Sequence, residues 1–321
     1  MRRLLWLAVT AVVTFIALIV IENVTLAGYF PRLSRLTPDF SATYLRRELD
    51  ALANEPHRIV VLGDSVLWGY GLKPNETAVA ILNRHGNCCD NLSFKIGSPP
   101  NYYAIALLMK AKHIRPKAVI LEVNQRVLNP ADAAYSSLHP SIAALATPLL
   151  SPGDRRLLHV PGHNPTALEK AAESISLLYA MRSDVDETLY PQADLIPAAH
   201  PRAAAFEGEY DLTPLEEHNT GVYFLEKAAA VFQKEHIPVI AFMTPTNHAL
   251  LHDYVDGPEY RSNVLFLQRV LRNRGAEVLD LDRGFPAQEF FDNVHLTAAG
   301  QRRLAAILGS ALARPNHTFR E

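Results

Sequence analysis

The chain has 321 residues, enough for one large α/β domain or two smaller ones. Its 31 Lys and Arg against 33 Asp and Glu leave a formal charge of -2, which removes the electrostatic footprint expected of a nucleic-acid-binding protein. A hydrophobic content of 49% excludes general disorder, and two cysteines cannot build a disulfide scaffold or a four-thiolate zinc site.

Arg2 and Arg3 precede an uncharged run from Leu4 to Ile21. As a helix this run would rise about 27 Å, close to the roughly 30 Å hydrocarbon core of a bilayer. It exceeds the roughly 7–15-residue apolar core of a secretory signal. The run predicts an uncleaved signal anchor over residues 1–27, against two alternatives: cleavage after Thr25-Leu26-Ala27, or a buried helix. Arg2 and Arg3 favour a cytoplasmic amino end, which puts the remainder on the periplasmic or extracellular face. Residues 28–56 read as a linker and a leading helix.

An α/β rhythm follows. His57–Leu62 reads as a buried strand that runs into the turn Gly63-Asp64-Ser65. Thr77–Arg84 reads as helix, Asn91–Ile96 as a second strand, and Asn101–His113 as a helix opened by Pro99. Lys117–Val123 is a third strand, ending in Asn124-Gln125-Arg126. The proline-rich stretch from about 128 to 219 interrupts the rhythm as an insertion, with a helix expected over Thr166–Met181. Thr220–Lys234 (helix), Ile237–Met243 (strand), Tyr260–Arg274 (helix) and Ala276–Leu281 (strand) resume it. Thr297 caps a last helix over Ala298–Ala313. The expected fold is therefore a three-layer α/β/α sandwich on a mostly parallel five-stranded sheet over 57–315. Adjacent Cys88 and Cys89 are too close for an unstrained bridge and read as a buried thiol pair.

Ser65 stands just beyond a strand, where parallel sheets present ligand-facing loops. Asp292 and His295 share a second loop, and their i,i+3 spacing lets the carboxylate orient the imidazole. A histidine so held can take a proton from Ser65 and return it to a leaving group. Either fragment alone is an ordinary turn or cap; together, at strand ends of one α/β unit, they point to nucleophilic catalysis. Trp68, Tyr70, Asn247 and His248 are further candidates to line a pocket. Glu122, on an otherwise apolar strand, needs a partner if buried, and Arg126 is one candidate. No clustered ligand set or phosphate-binding loop calls for a metal or a cofactor.

The blocks Val61-Leu62-Gly63-Asp64-Ser65 and Phe291-Asp292-Asn293-Val294-His295-Leu296-Thr297 resemble the SGNH, or GDSL-type, hydrolase superfamily, which includes extracytoplasmic O-acyltransferases. The resemblance implies a flavodoxin-like fold, Ser65 as nucleophile, His295 as base and Asp292 as orienting acid. It implies an oxyanion hole built from the Ser65 amide, the Gly97 amide and the Asn124 side chain. Two departures stand out. The third block, Gly-x-Asn-Asp in the family, is Glu122-Val123-Asn124-Gln125 here. The second ends in Gly97-Ser98-Pro99-Pro100, and alignment of the donor glycine on Pro100 would remove a hydrogen-bond donor worth roughly 2.7–4 kcal/mol in the transition state. The layout of anchor, insertion and terminal Asp-His block is similar to cell-envelope and exopolysaccharide O-acetylation proteins. This implies acyl-ester chemistry, transfer or hydrolysis, on an envelope glycan or a small ester, with a multispanning membrane acyltransferase as an expected partner. A non-catalytic glycan-binding or scaffold protein on the same fold is the alternative.

Overall fold

The computed structural model describes residues 2–29, 40–128, 135–158, 171–172, 203–210 and 214–314. Five strands, β1 (Ile59–Leu62), β2 (Cys89–Asn91), β3 (Ala118–Val123), β4 (Val239–Met243) and β5 (Glu277–Asp280), form one sheet in the order β2-β1-β3-β4-β5. Every pairing is parallel, with Ile59 opposite both Cys89 and Ala118, Val119 opposite Val239, and Ile240 opposite Glu277.

Apolar runs, interrupted only by Glu122 on β3, form the central strands because helices cover both sheet faces. Side chains alternate along each strand, so Val60, Leu62, Val119, Leu121, Val239 and Ala241 face one core. That core also takes in the helices Pro99–Ala111, Thr220–Lys234 and Pro258–Asn273. Ile59, Val61, Ile120, Ile240 and Phe242 face the other, with the helices Ala78–Arg84 and Ala298–Leu312. Thr77, Asn219 and Thr297 each cap a helix by accepting an amide hydrogen of its first turn. Pro99 and Pro100 occupy a helical first turn, where the missing N–H costs nothing.

The second strand lies earlier than its sequence suggests. Only Cys89–Asn91 pairs with β1, whereas Leu92 and Phe94 are buried in the loop that follows. Phe94 packs edge-on against Phe40 and His139, so its hydrophobicity serves loop packing and not the ladder. The cysteines also separate: both are free, but Cys88 is exposed and Cys89 is buried. Burial pushes the Cys89 thiol up to about 12.

Two further pieces matter for the site. The insertion begins with the helices Pro140–Ala146 and Pro152–Leu157, and it returns as a 3-10 helix over Ala203–Glu209. Its expected helix over Thr166–Met181 lies outside the described residues apart from 171–172. At the amino end a helix spans Arg2–Tyr29, with side chains described at 6 and 9–21. Trp6, Val13, Phe15 and Ile21 on it are exposed. Among the described residues no helix is long and apolar enough to cross a membrane, so the expected membrane-spanning helix is not shown.

Candidate active site

The strand order places β2 and β3 on opposite sides of β1. The crevice beyond the carboxyl ends of β1 and β3 is thus the switch point of the sheet, where open α/β folds bind ligands. Ser65 follows β1 and Asn124 follows β3, so both expected residues meet there.

The turn after β1 is tightly built. Asp64 caps the short helix Ser65–Trp68 by accepting the Val66 amide hydrogen at 3.0 Å. Gly69 closes that helix in the left-handed region at φ 87°, where a side chain would be strained. Gly63 has no room for a Cβ, which would overlap the Glu122 carboxylate and Leu67. Glu122 is fully buried on β3, and its Oε2 accepts from the Asp64 and Leu67 amides at 3.0 and 3.3 Å. Its Oε1 accepts from the Thr244 hydroxyl at 3.1 Å. Glu122 is therefore satisfied by the turn after β1 and by Thr244 just beyond β4, and its suggested pairing with Arg126 does not form. Burial, and next the neighbouring Asp64 carboxylate, push the Glu122 carboxyl well above the usual range.

Across the crevice, the loop between Phe290 and Leu296 is pinched by a bridge between those two residues. Asp292 Oδ1 accepts from the backbone of Val294 and His295 at 3.1 and 2.9 Å. Its Oδ2 lies 2.6 Å from His295 Nδ1, and His295 Nε2 lies 2.8 Å from Ser65 Oγ. With Asp292 ionised, Nδ1 donates to the carboxylate and Nε2 is left to accept from Ser65. Burial opposes ionisation of Asp292, but the hydrogen bonds from the His295 ring and the two backbone amides outweigh it and hold its pKa below the usual range. The Tyr70 ring covers His295, with centroids 4.4 Å apart. Trp68, by contrast, is a fully buried core residue.

The three expected oxyanion donors are not equivalent. Among the described residues the Ser65 N–H has no protein partner, so it is available. Asn124 donates one amide hydrogen to Asp64 Oδ2 at 2.9 Å, which leaves the second. The Gly97 N–H is committed to the Phe94 carbonyl at 2.9 Å. What Gly97 provides is close approach, since a Cβ there would overlap the Gly63 carbonyl.

Sequence reasoning offered Asn247 only as a pocket candidate, without its anchoring role, and missed Glu209. Asn247, at the end of β4, donates from Nδ2 to the Asp292 carbonyl at 2.9 Å and from its backbone to the Asn293 carbonyl at 2.8 Å. It thereby anchors the Asp292–His295 loop from behind. Glu209, from the insertion, accepts from Arg126 Nη1 at 3.1 Å and from Asn293 Nδ2 at 2.8 Å, joining the loops after β3 and before the last helix. Only a polar residue at a strand end hinted at Asn247; nothing local marks Glu209. His248 bridges Asp256 and Asp282 at 2.9 and 3.0 Å.

A nucleophile, a base and an orienting acid at these distances can carry out acyl transfer through a covalent intermediate. Among the described residues no group of three or more His, Cys, Asp or Glu could hold a metal ion. A protein-family model that carries no functional description matches residues 217–314, a segment holding Asn247, Asp292 and His295 but neither Ser65 nor Asn124. No curated protein matches the chain.

Proposed function

We propose that the protein performs acyl-ester chemistry through a Ser65–His295–Asp292 triad, and the hydrogen-bonded chain Ser65 Oγ–His295–Asp292 is the observation that carries this reading. Ser65 Oγ attacks the ester carbonyl carbon as its proton passes to His295 Nε2. The tetrahedral oxyanion is met by the Ser65 amide and the free hydrogen of Asn124. Collapse breaks the ester C–O bond, and His295 returns the proton to the departing alcohol. Water or a sugar hydroxyl then attacks the acyl-enzyme, gives its proton to His295, and restores Ser65. Water makes the protein an esterase; a sugar hydroxyl makes it an O-acyltransferase. The resemblance to the SGNH superfamily supports a glycan or small ester as substrate. The uncharged run Leu4–Ile21 supports anchorage in a membrane with the α/β part outside the cytoplasm, near a multispanning acyl carrier. The committed Gly97 amide favours the second reading, a glycan-binding protein without turnover, because it leaves the oxyanion one donor fewer.

The test is mass spectrometry of the full chain incubated with a panel of acyl esters and oligosaccharides. Ser65-dependent release of acid reports hydrolysis, and added acyl mass on the sugar reports transfer. No Ser65-dependent turnover across the panel would leave the binding reading standing.

A further inference from the structure

A second histidine lies between carboxylates behind the catalytic loop. His248 opens the helix His248–Val255, with Asp256 Oδ1 2.9 Å from its Nδ1 and Asp282 Oδ2 3.0 Å from its Nε2. A neutral imidazole has one N–H, so it can serve one of these acceptors and must turn a lone pair on the other. The imidazolium donates to both and is the form that this geometry fits. Asp282 is buried, and its other oxygen accepts from the Tyr260 hydroxyl at 2.7 Å. Arg283 also faces the group, donating to Asp256 at 3.0 Å, and His252, one turn along the helix, pairs with Asp253. Burial opposes a charge on His248, as does Arg283, but the bonds to Asp282 and Asp256 outweigh them and hold its pKa above the usual histidine value.

The helix that carries this pair is not straight. Leu251 departs from helical geometry at φ -108° and ψ 16°, and Asp256, the C-cap, comes within hydrogen-bond reach of a residue eight positions earlier. An unbroken helix would separate the two by about 12 Å along its axis. The residues just before His248 reach the catalytic loop. The Thr246 amide donates to the Asp282 carbonyl at 3.1 Å, and Asn247 donates to the Asn293 and Asp292 carbonyls at 2.8 and 2.9 Å. The turn after β4 is thus held by Asp282 on one side and holds the loop of Asp292 and His295 on the other.

We infer that His248 is a positioning residue for the triad: as an imidazolium it clamps the turn after β4 between Asp282 and Asp256, and Asn247 passes that hold to the Asp292–His295 loop. The inference rests on the acyl-ester reading and adds an alkaline limit that the triad alone does not supply. His295 must be neutral to accept the Ser65 proton, so the triad fails as pH falls. The clamp is present below the raised pKa of His248 and is lost to solvent as pH rises through it.

The test has two arms, both on the full-length chain in detergent micelles. The first needs no turnover: side-chain and backbone NMR follows the histidine rings, the Asn247 side-chain amide and the Asn293 backbone amide across pH. His248 should titrate above about 6.5, the ordinary histidine value, and the Asn247 and Asn293 signals should move with its midpoint. A His248 midpoint at or below that value, or Asn247 and Asn293 signals that do not follow it, overturns the inference. The second arm reads turnover of a small ester. His248→Gln should lower kcat about tenfold or more with KM within about twofold, and should abolish the alkaline fall at the His248 midpoint. His248→Arg, which keeps its charge to about pH 12 and has donors for both carboxylates, should recover kcat and carry the fall to higher pH. The inference is overturned if His248→Gln keeps the parent's kcat and alkaline limb, or if both variants lose kcat with that limb unmoved. Absence of Ser65-dependent turnover in the unsubstituted chain would refute the acyl-ester reading separately, and the first arm would still decide whether the clamp governs the loop.

Discussion

Glu122 shows how one buried carboxyl group can hold a turn. It fills the space beneath Gly63 while accepting from two amides of the turn after β1. Truncation by Glu122→Ala would leave the Asp64 and Leu67 amides unpaired in the interior, at about 1–3 kcal/mol each. Glu122→Gln can keep an oxygen toward those amides and turn its NH2 toward the Thr244 hydroxyl, which can accept. Thermal melting with parallel ester-turnover assays should therefore rank the glutamine variant far above the alanine one. Equal damage from both would mean that the negative charge, not the acceptor geometry, holds the turn. This residue also marks a limit of legibility. Its burial was readable from its apolar strand, but its partners come from a turn 58 residues earlier and a strand end 122 residues later. Ser65, Asp292 and His295 were legible as one candidate site because two short blocks at strand ends, each an ordinary turn alone, point to the same chemistry when taken together. Asn247 and Glu209 were not, because their partners are set by how distant loops pack.

At the scale of elements, the sheet was readable wherever a strand is buried on both faces, as in β1, β3 and β4, which are apolar throughout except for Glu122. β2 was misplaced because Leu92 and Phe94 are as buried as strand residues while packing a loop. The start of the insertion is pinned by a polar cluster that sequence pattern could not assemble. Buried Asp154 accepts from Tyr103 at 3.1 Å, Ser151 at 2.7 Å, Tyr223 at 3.0 Å and Lys227 at 2.5 Å. Burial opposes ionisation of Asp154, yet the bonds from Lys227, Ser151 and Tyr223 outweigh it and depress its pKa. A depressed carboxyl contributes stability that is present above its unfolded value of about 3.9 and is lost as pH falls through the lower folded value. Asp154→Asn should lower the melting temperature at neutral pH, and the gap from the parent should close as the pH drops below that window. A gap that stays constant down to acid pH would assign the cluster a packing role without a charge contribution.

For the whole molecule, the switch point between β1 and β3 gathers the site from four separated parts of the chain: the turn after β1, the turn after β3, the end of β4 and the loop before the last helix. The amino-terminal helix stands outside that assembly. If it is the membrane anchor that its sequence suggests, deleting residues 1–29 should move the protein from the membrane to the soluble fraction while Ser65-dependent activity on a small ester persists. Retention in the membrane after deletion would place the attachment elsewhere. The account turns, however, on whether Ser65 is a nucleophile driven by His295. Peptide mapping by mass spectrometry after treatment with a fluorophosphonate reads this directly. A covalent adduct should appear on the peptide bearing Ser65, vanish in Ser65→Ala, and form at least about a thousandfold more slowly in His295→Ala. No adduct at Ser65, or labelling that proceeds as fast without the His295 imidazole, would contradict the account.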